Sequence, residues 1–448
     1  MPEGDGVGAP DPVALTRRLV RFDTTNPPGD EAACAGFVAG LAVDAGLDVR
    51  TLAGDPDRPT VLVRLAGRGA APPLLLHAHT DVVPVDGQRW TRPPFAAEEA
   101  DGELWGRGSV DMKGGLAMML TALLRLRAEG TAPAGDVLLA VVPDEEAGSA
   151  AGAGFLVREH RELFAGVRYA VGEDGGAGLE LGWRRRLHPV VVAEKRALWL
   201  RVVLRGPGGH ASRAAGPDSP VRQLGRLLAG VRSGGLGVRP VPVVTGMLAE
   251  LAGGMPEPEA GRLALLADDP TDPAGWAGLS EHDERYLRSV LQHTVNPTVL
   301  RAGTVTNVLP DEVTVELDCR LLPGGFGVED LLAALAERVG RPLEAEVLVE
   351  GEPMGEPLLD GFYQLLRDVL AGADPAGLPV PMMTTASTDA RLFAQLGIAC
   401  YGWLPMLLPA GTNHRALLHC PDERVPVDAL RFGADCFTTL LRRYGSAG

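Results

Sequence analysis

Residues 74–86 read LLLHAHTDVVPVD, an apolar run that stops at His77, His79 and Asp81. In an extended segment, residues two apart point the same way. Asp81 can therefore stand behind the ring of His79, as carboxylates do when they orient metal-binding imidazoles. A strand end turning its polar residues to solvent would read the same. Four further groups follow the pattern. Asp111 in GRGSVDMKGG lies between a glycine-rich turn and a helical stretch, a place that also suits an aspartate N-cap. Glu145 and Glu146 follow an apolar run in VVPDEEAGS, where three adjacent acids repel one another unless a cation or solvent relieves them. Glu173 and Asp174 close YAVGEDGG, and His419 follows two leucines in LLHCPDERV. Singly, each has an ordinary structural explanation. Together they place histidines and carboxylates at the ends of apolar strands, where sites form in α/β sheets. That donor set suits zinc and related divalent ions. A carboxylate such as Asp111 can bridge two ions about 3.5–4 Å apart in co-catalytic hydrolases. One further acid must then stay off the metal to act as a base.

The elements that must position these residues are legible as an alternation. PVALTRRLVRF and DEAACAGFVAGLAVDAGL have helical spacing of apolar residues. TVLVRLAG, PLLLHAHTD and GDVLLAVVPDEE are short apolar runs of the kind found in buried parallel strands. MKGGLAMMLTALLRLRAEG is a long helix between two of them, so the first part predicts an α/β sheet covered by helices. The middle alternates apolar and polar residues in ALWLRVVLRG and DEVTVELDCRLLPG, as half-exposed antiparallel strands do. The C-terminal part returns to helix (LLDGFYQLLRDVL) and apolar strand (GIACYGWLP). The expected organisation is a catalytic domain over 1–195 and 351–448, with a smaller α+β domain inserted at 196–350. The fold class is a mixed, mostly parallel sheet flanked by helices, plus the insert.

Bulk properties exclude several classes. With 42 Lys and Arg against 58 Asp and Glu, the net charge is -16, and an acidic chain repels nucleic-acid backbones. The five cysteines are scattered and form no CxxC pair, which argues against a disulfide framework or a zinc finger. No apolar stretch approaches the roughly 20 residues needed to span a bilayer, and the N-terminal stretch lacks the apolar core of a signal peptide. The expectation is a cytoplasmic enzyme with no nucleic-acid or membrane partner.

The motifs RFDTTNPPGDE, HAHTDVVPV, WGRGSVDMKGG, PDEEAGS, GGHAS, TNVLPDEVTVELDCRLLPG, TDAR and LLHCPDERV run in this order along nearly the whole chain. They resemble the di-zinc metallopeptidases that include acetylornithine deacetylase, succinyl-diaminopimelate desuccinylase, aminoacylase and glutamate carboxypeptidase. The resemblance implies two Zn2+ ions, for which Co2+ or Mn2+ can substitute. It implies His79, Asp111, Glu146 and His419 as ligands, with Asp111 bridging and followed by a cis peptide bond, and Asp81 behind His79. It makes Glu145 the general base and His77 a supporting residue. Where aminoacylase-like members carry Asp-Glu-Gly, this chain has Glu173-Asp174-Gly175. The last acid before the glycine is expected to be the ligand, hence Asp174, with Glu173 as the fallback. His210 is implied as an oxyanion donor, often across a subunit boundary, and Asn307 and Arg320 as holders of the substrate's carboxylate or carbonyl. The inserted domain would be ferredoxin-like and serve as lid and dimerisation domain of a homodimer. The implied reaction is hydrolysis of the amide bond of N-acyl amino acids or short peptides bearing a free carboxylate. In it, a zinc-activated water loses its proton to Glu145. The competing readings are a catalytically inactive relative that binds a peptide or protein, and a hydrolase of another C–N or ester bond.

Overall fold

The computed structural model describes residues 10–178, 186–232, 235–412 and 414–445. It divides into two compact units, one formed by 1–192, 357–382 and 388–448, the other by 193–356 and 383–387.

The first unit is built on an eight-stranded sheet. Its strand order is Asp48–Leu52, Thr60–Leu65, Val137–Val142, Leu74–His79, Tyr169–Gly172, Ala399–Gly402, Leu187–Glu194 and Leu378–Thr384. The four strands from Val137–Val142 to Ala399–Gly402 run parallel. All six residues of Leu74–His79 and of Val137–Val142 are buried, and a fully buried leucine stabilises the fold by about 1.5–3 kcal/mol relative to an exposed one. TVLVRLAG, expected as a parallel strand, pairs antiparallel with both of its neighbours. Burial on both faces makes the two arrangements look alike in sequence. The short link from Leu52 to Thr60 permits only a hairpin-like return, because a parallel crossover needs a dozen or more residues.

Helix Lys113–Ala128 begins two residues after Asp111 and buries most of its circumference, packing against Pro12–Val20 and Val427–Arg443. A small three-stranded sheet pairs Arg424–Pro426 with Glu103–Trp105. It draws the segment carrying His419 alongside the segment leading to Asp111. The peptide bond between Asp111 and Met112 is cis.

The second unit has a four-stranded antiparallel sheet in the order Thr294–Ala302, Glu312–Leu321, Arg196–Arg205, Glu344–Glu350. Helices Pro220–Gly230 and Val328–Val339 lie between successive strands along the chain. Numbered along the chain the strand order is 2-3-1-4, the ferredoxin-like arrangement. Alternate residues Leu198, Leu200, Val202 and Leu204 pack with Val313, Val315 and Leu317 in one core. The opposite face carries Arg201 bonded to Glu316 and Glu346, and Arg205 bonded to Glu312 and Glu344. Between the first helix and the second strand lie four further helices over 242–291. No helix among the described residues is long and apolar enough to cross a membrane.

Candidate metal centre

His79 is the last residue of its strand, and its ring is almost completely buried. Its Nδ1 lies 3.0 Å from the backbone oxygen of Asp81. A carbonyl only accepts, so Nδ1 carries a proton and the neutral form of the ring offers its lone pair at Nε2. That Nε2 is 3.2 Å from Asp111 Oδ1 and 3.4 Å from Glu173 Oε2. The other oxygen of Asp111, Oδ2, is 3.3 Å from His419 Nε2, which is 3.1 Å from Glu146 Oε2. Asp111 thus stands between two histidines, one oxygen to each. Each histidine has a carboxylate of its own, Glu173 for His79 and Glu146 for His419.

Four bonds of 2.0–2.1 Å around a tetrahedral zinc place neighbouring ligand atoms about 3.3–3.4 Å apart. The observed separations of 3.1–3.4 Å match such edges. The sets His79, Asp111, Glu146 and His79, Glu145, Glu173 each gather ligand atoms within 4.8 Å. The donors are hard-to-borderline nitrogen and oxygen, so the residues fit a pair of divalent cations.

Electrostatics agree. Burial, then the adjacent Glu173 carboxylate, holds the Glu145 carboxyl well above its usual range. Burial pushes Glu173 up to about 7 and raises Glu146. Hydrogen bonds to Asp111 and Glu146 hold His419 up to about 10. Burial would pull His79 down, but Glu173, Asp111 and Asp81 hold it well above its ordinary value. Without cations, the cluster keeps protons to offset its own charge. Divalent ions would take their place.

Asp81 stands behind the His79 ring with two oxygens: its carbonyl lies 3.0 Å from Nδ1 and its Oδ1 3.5 Å. The carboxylate also accepts from the backbone N–H groups of Glu145 and Glu146, each at 3.1 Å, and from Asn26 Nδ2 at 2.8 Å. One aspartate thus holds His79 with its main chain and the Glu145-Glu146 turn with its side chain.

The two acids at 173 and 174 take different places. Glu173 faces His79, whereas Asp174 adopts φ +64° and its Oδ1 accepts from the Gly175 N–H at 2.7 Å. Aspartate is among the few side chains that tolerate this left-handed backbone. An acid directly before two glycines could have signalled the turn. His77 is buried among apolar groups, its ring 5.1 Å from that of Phe393, and burial pulls its imidazole down to about 3.

Sequence reasoning missed the residues that hold these loops. Buried Glu423 accepts from the N–H groups of Val110 and Asp111 at 2.8 and 3.1 Å. Its other oxygen meets the buried Arg107 guanidinium at 2.7 Å. Arg107 also donates to the Cys420 carbonyl and to Gln88, whose amide donates to the His419 carbonyl. Asp389 is buried, with one carboxylate oxygen unpartnered, and burial pushes it up to about 6.

His210, Asn307 and Arg320 lie in the second unit. His210 pairs with Val308 in a two-residue ladder, and the Ala211 N–H donates to the Asn307 carbonyl, so His210 and Asn307 are neighbours there. The Ser212 N–H donates to His210 Nδ1 at 3.2 Å, which leaves Nε2 as the N–H donor of the neutral ring. Arg320 is held in a two-pronged pair by Asp318, at 2.7 and 3.0 Å.

Compared with known proteins, the chain is 28% identical to aminoacylase-1 of Sus scrofa, over 97% of this chain and 95% of that one. It is 25% identical to succinyl-diaminopimelate desuccinylase of Paracoccus denitrificans, over 97% and 98%. The structure of an M20 family metallo-carboxypeptidase from Sulfolobus solfataricus shares the fold with a TM-score of 0.73 at 18% identity, over 98% of this chain and 100% of that one. Residues 75–443 match peptidase family M20/M25/M40, and the chain therefore belongs to that family, a metal-dependent amidohydrolase.

Proposed function

We propose that the chain hydrolyses the amide bond of N-acyl amino acids or short peptides with a free carboxylate. The observation that carries this reading is the placement of Asp111 between His79 and His419, with Glu145 close by and in neither of the two pairs that Glu173 and Glu146 make. The ligand set is His79, Asp111 and Glu173 on one side and His419, Asp111 and Glu146 on the other. Bound there, two zinc ions, or cobalt or manganese, would lower the pKa of a water and polarise the scissile carbonyl.

The residues supply the rest. Glu145 has a raised proton affinity suited to a general base that later acts as an acid. It takes the proton from the attacking water on a carboxylate oxygen and delivers it to the leaving nitrogen. Asp81 fixes its backbone. His210, with its donor on Nε2, serves the developing oxyanion, and Asn307 and Arg320 hold the substrate's carboxylate or carbonyl. Asp318 takes the Nε and Nη2 edge of Arg320, so a substrate carboxylate would meet the remaining Nη1 and Nη2 hydrogens. The second unit acts as lid and dimerisation domain of a cytoplasmic homodimer, with His210 serving its own or the partner's site. The aminoacylase and desuccinylase relatives support an N-acyl substrate.

A panel of N-acyl amino acids and dipeptides assayed with zinc, cobalt and manganese tests the reading. Turnover of carboxylate-bearing amides that disappears on chelation is the expected result. Turnover by metal-free protein would overturn it.

A further inference from the structure

The motif RFDTTNPPGDE has no role in the scheme above, yet it is folded around one arginine from another loop. Arg58 donates from Nε and Nη2 to both oxygens of Glu31, at 3.0 and 2.7 Å, and from Nη1 to Asp144 Oδ1 at 2.9 Å. Glu31 is completely buried, Asp144 is buried, and the Arg58 side chain is part-buried, 13% exposed. Gly29, at φ +83°, lies flat against the guanidinium: a Cβ there would sit 2.5 Å from the Arg58 Cζ. Asn26 Nδ2 joins Asp144 Oδ1, at 3.1 Å, to Asp81 Oδ2, at 2.8 Å. Asp144 occupies φ +73° immediately before Glu145, and its second oxygen accepts from the Ala151 N–H. Thr24 and Asn26 in turn bond along residues 80–82.

An unbroken chain of bonds thus runs from Glu31 through Arg58, Asp144, Asn26 and Asp81 to the amides of Glu145 and Glu146. Three buried carboxylates in this chain, Glu31, Asp144 and Asp81, are bridged by one guanidinium and one amide. Buried charges are retained only when paired and hydrogen-bonded, and arginine alone offers a planar fork for one carboxylate with a further donor for another.

We infer that Arg58, cradled by Gly29 and anchored on Glu31, is a positioning residue that sets the backbone of the Glu145-Glu146 turn. It touches neither substrate nor metal ligand. This role rests on the proposed activity for its kinetic consequence, but not for its structural one.

Arg58→Ala and Asn26→Ala, prepared as zinc-loaded full-length protein, are compared with the wild type in two ways. In the first, kcat for an N-acyl amino acid is expected to fall about 10–100-fold, the usual loss when a residue supporting a site is removed. KM should change far less, and guanidinium ion should restore part of the Arg58→Ala activity. In the second, hydrogen exchange of residues 144–151 is expected to accelerate while exchange in the Leu74–His79 and Val137–Val142 strands stays at the wild-type rate. Unchanged exchange at 144–151 in both variants overturns the proposal. So does a fall in kcat accompanied by equal loosening of the whole sheet, which marks a general stability role. If Arg58→Ala does not fold, the milder Asn26→Ala decides by the same criteria. If the wild type turns over none of the panel, the proposed activity fails, and the exchange comparison still decides the positioning role.

Discussion

The two halves of the candidate metal centre offer matching donors on unlike supports. His79 terminates a central parallel strand, and its side chain is 1% exposed. Glu173 follows Tyr169–Gly172, the neighbouring strand in the same sheet. His419 sits in a loop at φ +60°, with a side chain 54% exposed. Sheet packing sets the backbone of the first histidine, because the leucines before it are buried, and Asp81 holds its ring. The loop histidine needs added parts, and these are the buried Arg107–Glu423 pair and the Gln88 amide. A ligand on a strand end is a by-product of the core. A ligand on a loop has to be held by polar groups that are themselves buried.

Substitutions can break this comparison at its shared member first. Asp111→Ala is expected to empty both positions, seen as loss of both metal ions by elemental mass spectrometry, and to abolish turnover. His419→Ala should empty only the loop half; loss of both ions in His419→Ala would show that the halves do not stand separately. Glu145→Gln should leave metal content intact while kcat falls about 10²–10⁴-fold, the range for removal of a general base. Glu173→Gln should weaken the strand half and Asp174→Asn should spare it, which metal titration distinguishes.

Arg107→Met sharpens the contrast in supports. Leaving Glu423 buried and unpaired should cost about 3–5 kcal/mol of stability in denaturant unfolding, and the loop half should lose metal before the strand half does. The smallest effect is one of pH. In the metal-free protein His419 is held up to about 10, so an entering cation must expel a proton below that pH. Affinity at the loop half should rise with pH by about tenfold per unit for each proton released, and level off near pH 10. Calorimetry in buffers of different ionisation enthalpy reads the proton count. Stability of the metal-free chain runs the other way. A raised histidine contributes fully below its ordinary value near 6.5, and that contribution is lost as pH climbs toward 10.

The legible part of this molecule was the part written locally. His79, Asp111, Glu145 and Glu146 follow short apolar runs or precede a helix, so the pattern singles them out as candidates, and the fold gathers them. His419 was readable through its motif, not its surroundings. Glu173 and Asp174 are set apart by a single left-handed residue, Asp174, which the order of the two acids does not announce. Thr60–Leu65 looked like its parallel neighbours because burial does not encode direction. Arg58, Glu31, Arg107 and Glu423 were invisible as a group, since their partners lie 27 to 316 residues away. Arginines in polar loops are ordinarily solvated, and only the folded chain shows which ones are enclosed.

Gly172 is the last residue of Tyr169–Gly172, and a Cβ placed on it would come within 2.1 Å of the His77 ring. That ring lies on the neighbouring strand, against Phe393. Positions 77 and 172 are therefore not independent in any sequence that keeps this fold. A larger residue at 172 demands a smaller one at 77, and a chain drifting through either single change must pass through an overfilled or hollowed sheet end beside its own metal centre. The pair couples the spacing of the two strands that end at His79 and lead into Glu173.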